Sequence, residues 1–210
     1  PMSLFGGSIN YQHVEGDANS IESILGALSE LIKIGKIRNI GLSNETPWGT
    51  MEFIHQSKDK DLPKMQSIQN AYNLLNRIFE FGGSEIAFRE SVGLLAYSPL
   101  AQGYLTGKYQ NGNLPKGSRK ELFDRLQRYE GVGSEEAIES YLNIAKKYNV
   151  DPSQLANQFV TTRPFVTSNI IGATSMEQLK LAVTSIEVNL TEEIEKDIEK
   201  AFQKHGNVAS

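Results

Sequence analysis

Two kinds of apolar spacing alternate along this chain, and the alternation limits the folds open to it more than any other feature. From Asn19 to Lys36 the residues Ile21, Ile24, Leu25, Leu28, Leu31 and Ile32 recur at helical spacing, and Gly35 stands where a helix ends. The apolar run IRNIGLSN, Ile37 to Asn44, follows and reads as a strand. Thr46-Pro47 then supplies a capping hydroxyl and a proline for the first turn of a helix reaching about Lys58. The unit repeats with a strand from Lys64 to Tyr72, a helix near Ser84 to Val92 and a strand from Gly93 to Leu100. A polar stretch from Gln102 to Gly133 precedes a helix from Ser134 to Tyr148, and Asp151-Pro152 caps another over Ser153 to Arg163. The last strand is TSNIIGAT, Thr167 to Thr174. Ser175 and Gln178 have the spacing of a capping box, and Thr191 opens a terminal amphipathic helix.

Strands apolar on both faces and separated by helices imply parallel βαβ units. Four strands can be counted. A closed eight-stranded (β/α) barrel takes about 250 residues, and an open doubly wound sheet needs no closure, so the pattern leaves both architectures available. Nothing in residues 1–210 marks a second domain.

Composition removes several function classes. Apolar residues make up 39 % and charged residues 22 %, the balance of a soluble globular chain. The absence of cysteine excludes disulfides, thiol nucleophiles and Cys-type zinc sites, and fits a reducing compartment, so a cytoplasmic setting is expected. A net charge of −4, with Lys and Arg spread along the chain, argues against broad nucleic-acid binding. No apolar run approaches the ~18 residues of a membrane span, so no membrane partner is expected.

In parallel α/β chains, ligands bind at the C-terminal ends of strands. That rule selects Ser43 and Asn44, Gln69 and Tyr72, Tyr97 and Ser98, and Gly172 to Gln178. Standing alone, Ser43-Asn44 reads first as a loop and helix cap and only second as a ligand pair. Gln69 places an amide in an apolar strand, where it must find hydrogen-bond partners, and a ligand carboxamide is one candidate. Tyr97 reads either as core or as a flat face for a ring. The segment Gly103 to Lys108 has three residues between its glycines where a Walker loop has four, and Tyr109 stands where that loop has Ser or Thr, so a triphosphatase reading fails. A glycine loop with Lys108, Arg119 beyond it and a helix start at Ser175 suit anionic oxygens, and a solvated loop is the competing reading. His13, His55 and His205 share no spacing that suggests a metal site or triad, and surface positions are expected for all three.

Taken together, GKIRNIGLSN, IQNAYNLLN, LLAYSPLAQGYLTGKY and NIIGATSMEQL, in this order and spacing, resemble the aldo-keto reductases, most closely the Tas-like branch related to potassium-channel β subunits. The resemblance runs from about Ser20 onward. It implies a (β/α)8 barrel of the TIM type that binds NADPH and delivers hydride to an aldehyde or ketone, here as a single domain holding about the C-terminal half, four strands plus helices. By motif, Ser43, Asn44 and Gln69 would hold the nicotinamide carboxamide and Tyr97 would stack on its ring. Ser98, Leu100 and Gly103 would line the pyrophosphate with Lys108 nearby, and Arg119 would meet the 2′-phosphate. Gly172, Thr174, Ser175 and Gln178 match the final phosphate- and adenosine-binding segment. Leu181 and Ala182 depart from the polar residues that relatives place against adenine. The family's catalytic Asp, Tyr, Lys and His lie on the first four strands and are assigned to no residue here.

The expectation is therefore the cofactor-binding half of a reductase, inactive alone, taking a small carbonyl substrate only when the barrel is completed. Completion would come from a complementing N-terminal half or from a homo-oligomer. The alternative is a non-catalytic NADP(H)-binding or self-associating module.

Overall fold

The computed structural model describes residues 19–123 and 127–209. His13 lies outside them. The elements are α1 (Ile21–Lys33), β1 (Ile40–Ser43), α2 (Pro47–Asp59), β2 (Met65–Ala71), α3 (Gly83–Glu90), β3 (Gly93–Tyr97), α4 (Arg119–Phe123), α5 (Ser134–Lys147), α6 (Pro152–Thr161), β4 (Val166–Ile170), α7 (Met176–Thr184) and α8 (Glu192–His205).

Local chemistry sets the helix ends. In α1 the Ser20 hydroxyl accepts from the Ser23 N–H at 3.2 Å. At its far end Gly35 adopts φ +73°, its N–H reaches the Ile32 carbonyl, and the Lys36 N–H reaches Leu31. This is a Schellman close, which needs a residue free to enter the left-handed region. Thr46 caps α2 with Pro47 inside the first turn, and Asp151 accepts from the N–H groups of Ser153 and Gln154 to start α6.

The four strands pair in parallel in the order β1-β2-β3-β4. A doubly wound sheet reverses direction at its first strand, whereas this order never reverses. With crossovers of constant hand, every helix falls on one face, which is the winding of a (β/α) barrel. Burial agrees. Leu42, Ile68, Leu94 and Val166 form one rung facing the helices, and the next is Asn70, Ala96 and Asn169. Ile68, Leu94 and Ala96 are buried, in a core shared with Leu155, Phe159 and Val160 of α6 and Ile194 and Ile198 of α8. The opposite face carries the rung Ser43, Gln69, Leu95 and Ser168, capped by Ala71, Tyr97 and Ile170. Its polar members are exposed.

Three expectations need correction. The last strand ends at Ile170, four residues before Thr174, because its final partner is Tyr97, the last residue of β3. The polar stretch after Leu100, for which the spacing predicts no element, carries 3-10 turns over Ala101–Thr106, Gln110–Gly112 and Gln127–Tyr129, and α4. Finally, His205 is half-buried and bonded to the Ser140 hydroxyl at 2.9 Å, while His55 is on the surface as expected.

Candidate functional site

The C-terminal ends of β1 to β3 meet in one hydrogen-bonded group. The Tyr97 hydroxyl donates to Asn44 Oδ1 at 2.7 Å, and Asn44 Nδ2 donates to the Ser43 hydroxyl at 3.1 Å. Asn44 can sit there because it adopts φ +52°, a conformation its short polar side chain tolerates, while its N–H donates to the Gln69 carbonyl at 3.0 Å. Gln69 occupies the same rung as Ser43. Its side chain is exposed, so no burial cost forces a partner on it; the amide faces the open side of the sheet because alternation puts it there.

The loop after β3 is held in an unusual backbone path. Ser98, Ala101 and Gln102 have φ of +58°, +47° and +58°, and Gly103 has φ +103°. A concentration of left-handed residues costs free energy and persists only where its surroundings fix it. Asn73 does so at the start, donating to the Ser98 carbonyl at 2.9 Å and to the Tyr129 hydroxyl at 3.0 Å, while its Oδ1 accepts from the N–H groups of Leu75 and Asn76. Lys108 lies against Gly103, where an added Cβ would stand 2.8 Å from its Cε. Further on, Tyr104 and Tyr109 pack with ring centroids 4.9 Å apart, and Lys120 pairs with Glu130 at 2.5 Å. Hydrogen bonds from Lys120 and Tyr104 hold the Glu130 carboxyl below its ordinary range.

The sequence-predicted residues fall into three groups. Ser43, Asn44, Gln69 and Tyr97 are brought together. Ser98, Leu100, Gly103 and Lys108 follow on the same loop. Gly172, Thr174, Ser175 and Gln178 are exposed beyond β4, and Gly172 comes two residues after Ile170, the rung partner of Tyr97. There Ser175 caps α7, accepting from the Gln178 N–H at 3.2 Å, and the Gln178 amide reaches back to the Thr174 N–H at 2.9 Å. Arg119 is exposed at the start of α4, next to Lys120, which ties that turn to Glu130.

Two residues that sequence reasoning missed complete the group. Arg128 donates to the Tyr97 hydroxyl at 3.3 Å, and Tyr129, whose phenol is pushed up by burial, supports Asn73. Arg128 is 31 residues from Tyr97 and Tyr129 is 56 from Asn73, in a stretch without periodicity, so only the fold brings them in. Asn73 had a local signal, since an Asn ending a strand before Leu-Leu suits a side chain that closes a turn.

Among the described residues no group of three or more His, Asp or Glu could hold a metal ion. No described helix is long and apolar enough to cross a membrane.

A sheet wound in one direction, with hydroxyl, amide and aromatic groups gathered at its C-terminal edge, defines a parallel α/β chain consistent with part of a (β/α) barrel. The sequence profile of the Aldo/keto reductase family matches residues 9–202. The chain therefore belongs to the aldo/keto reductase family of oxidoreductases, and the match begins before Ser20, where the motif resemblance starts. It is 44 % identical to Protein tas of Escherichia coli (strain K12) over 204 residues, 97 % of this chain and 59 % of that protein. It is 38 % identical to an aldo-keto reductase of Babesia bovis over 90 % of this chain and 70 % of the relative. It is 31 % identical to the L-glyceraldehyde 3-phosphate reductase of Escherichia coli (strain K12) over 87 % of this chain and 54 % of that enzyme. The chain thus spans about three-fifths of the length of Protein tas.

Proposed function

We propose that this chain is the cofactor-holding part of an NADPH-dependent carbonyl reductase and is inactive alone. The observation that carries the reading is the group Ser43, Asn44, Tyr97, fixed side by side and adjoining Gln69. It offers a hydroxyl and amides to a carboxamide and an aromatic face to a flat ring. The residues fit a dinucleotide in a second respect, because buried Gly103, lacking a Cβ, lets the Lys108 side chain come against a left-handed loop. Such loops, with a cation close by, suit phosphate oxygens. Ser98, Leu100, Gly103 and Lys108 would hold the pyrophosphate, Arg119 the 2′-phosphate, and Gly172, Thr174, Ser175 and Gln178 the adenosine end.

When bound, NADPH supplies a hydride for an aldehyde or ketone. The chain's own groups orient the ring and its amide. Protonating the alkoxide that forms needs an acid, and the open-face rungs of the described strands carry Ser, Gln, Thr, Leu, Ile, Ala, Gly and Tyr, with no Asp, Glu, Lys or His. The Tyr97 hydroxyl donates its hydrogen bond to Asn44 Oδ1. A small carbonyl substrate would thus be turned over only in a completed barrel, closed by a complementing segment or a second copy.

Fluorescence titration with NADPH tests the reading. Saturable binding without carbonyl turnover by the 210-residue chain is expected. Absence of binding overturns it, and turnover by the chain alone overturns the claim of inactivity.

A further inference from the structure

A cavity of about 260 Å³ opens at the same edge of the sheet but extends to its other side. Its apolar wall is formed by Ile68 of β2, Phe79, Ile86 of α3 and Val92. Ile68 faces the helices, whereas Gln69 faces the open side, so the cavity body is separated by β2 from the face that carries Gln69. An apolar cavity of ~150 Å³ accommodates benzene, and the present one is large enough for two fused rings.

Arg128 stands in the cavity lining with Asn44 and Tyr97. It is half-buried, its partners are the Tyr97 and Tyr129 phenols, and among the described residues no carboxylate lies within ion-pair distance of it. A guanidinium drawn partly out of water with only neutral partners attracts an anion. Its planar fork of five N–H donors matches a carboxylate in two-point contact. The other charged residue of the lining, Glu45, is turned to the start of α2, where its Oε1 accepts from the Thr46 N–H at 2.8 Å and the Thr46 hydroxyl at 3.3 Å. Its charge directs an anionic ligand to the Arg128 end.

We propose that this cavity is a second ligand site, adjoining the open-face site and sharing Asn44 and Tyr97 with it, which takes an aromatic monocarboxylate of about two fused rings with the carboxylate on Arg128 and the rings against Ile68, Phe79, Ile86 and Val92. The site needs no bound dinucleotide.

Calorimetric titration of the 210-residue chain with 2-naphthoate and with 2-naphthamide tests it. Naphthoate is expected to bind one per chain, ~10-fold or more tighter than the amide, the worth of a charge-assisted hydrogen bond. Arg128→Gln should lower naphthoate to the level of the amide while leaving the amide unchanged, and Arg128→Lys should restore part of the difference. Ile86→Trp, or Val92→Phe should that variant fail to fold by circular dichroism, should remove binding of both. The proposal is overturned if naphthoate gives no heat, if acid and amide bind equally, or if Arg128→Gln changes nothing. It is also overturned if NADP⁺ displaces naphthoate while the cavity-filling variants leave naphthoate binding intact, which would return Arg128 to the dinucleotide site.

Discussion

Tyr97 is anchored at its hydroxyl from two sides, by Asn44 and by Arg128. The ring is thereby oriented before any ligand arrives, and ordering it beforehand lowers the entropy lost on binding. Tyr97→Ala should weaken NADPH binding at least ~10-fold in a fluorescence titration, the loss of one stacked ring. Tyr97→Phe keeps the face and should weaken binding only ~2–5-fold, since the hydrogen bond it removes is between protein groups. Arg77 presents a different residue-scale case. It is bidentate to Glu80 at 2.8 Å and also pairs with Glu199 at 3.1 Å, it lies over the Phe202 ring at 4.0 Å, and Glu80 accepts from the buried Tyr72 hydroxyl at 2.5 Å. Burial, with the Glu80 charge next, keeps that phenol far above its usual pKa. Arg77→Met leaves Glu80 underpaired and should cost about 3–5 kcal/mol in urea denaturation. Ser43, Gln69 and Tyr97 were legible in the sequence because they stand at strand ends. Arg77 and Arg128 were not, since a buried ion pair and a distant donor leave no local pattern.

At the scale of elements, the loop after β3 and helix α8 each depend on one group. Gly103 needs φ +103° and space beside Lys108, so Gly103→Ala should destabilise the chain by about 1–3 kcal/mol and weaken NADPH binding more than an exposed Gly112→Ala control. Helix α8 is tied to α5 through Asp197, which accepts from Lys147 at 2.6 Å, Tyr148 at 2.9 Å and Lys200 at 3.2 Å. The Lys147 hydrogen bond first, then those of Tyr148 and Lys200, pull the Asp197 pKa from 3.8 to about 2. Because the folded value is the lower one, the contribution is fully present above pH ~4 and is lost as pH falls through about 2. The urea midpoints of the wild type and Asp197→Asn should therefore differ at neutral pH and converge as pH falls from about 4 to 2. Helix starts were readable to within a residue or two, because Ser20, Thr46, Asp151, Ser175 and Thr191 cap through their own side chains. Strand ends were less so. The length of β4 is set by how far β3 extends beside it, which its own sequence does not carry.

For the whole molecule, the choice between a barrel and a doubly wound sheet rested on strand order, and no local spacing encodes order. The order β1-β2-β3-β4, which never reverses, favours the barrel winding. In the described sheet β1 and β4 each pair on one side only, and unpaired edges invite further strands. Light scattering behind size exclusion should show the mass of the 210-residue chain rising with concentration, and Ser168→Lys, which puts a charge on β4, should reduce the rise. A mass of one chain at every concentration would count against completion by a second copy. The two faces of the sheet also divide what each position must satisfy. From Gly41 in β1, Ser67 in β2 and Gly93 in β3 onward the odd-numbered residues look to the open face and the even-numbered ones to the core, while Met65 at the start of β2 is buried beside Ile40. Beyond that point tolerance of substitution along each strand should alternate with a period of two. Ligand preference can then drift at the odd positions of such a sheet while the even positions keep it folded, and one scaffold can be handed from substrate to substrate without having to be refolded anew.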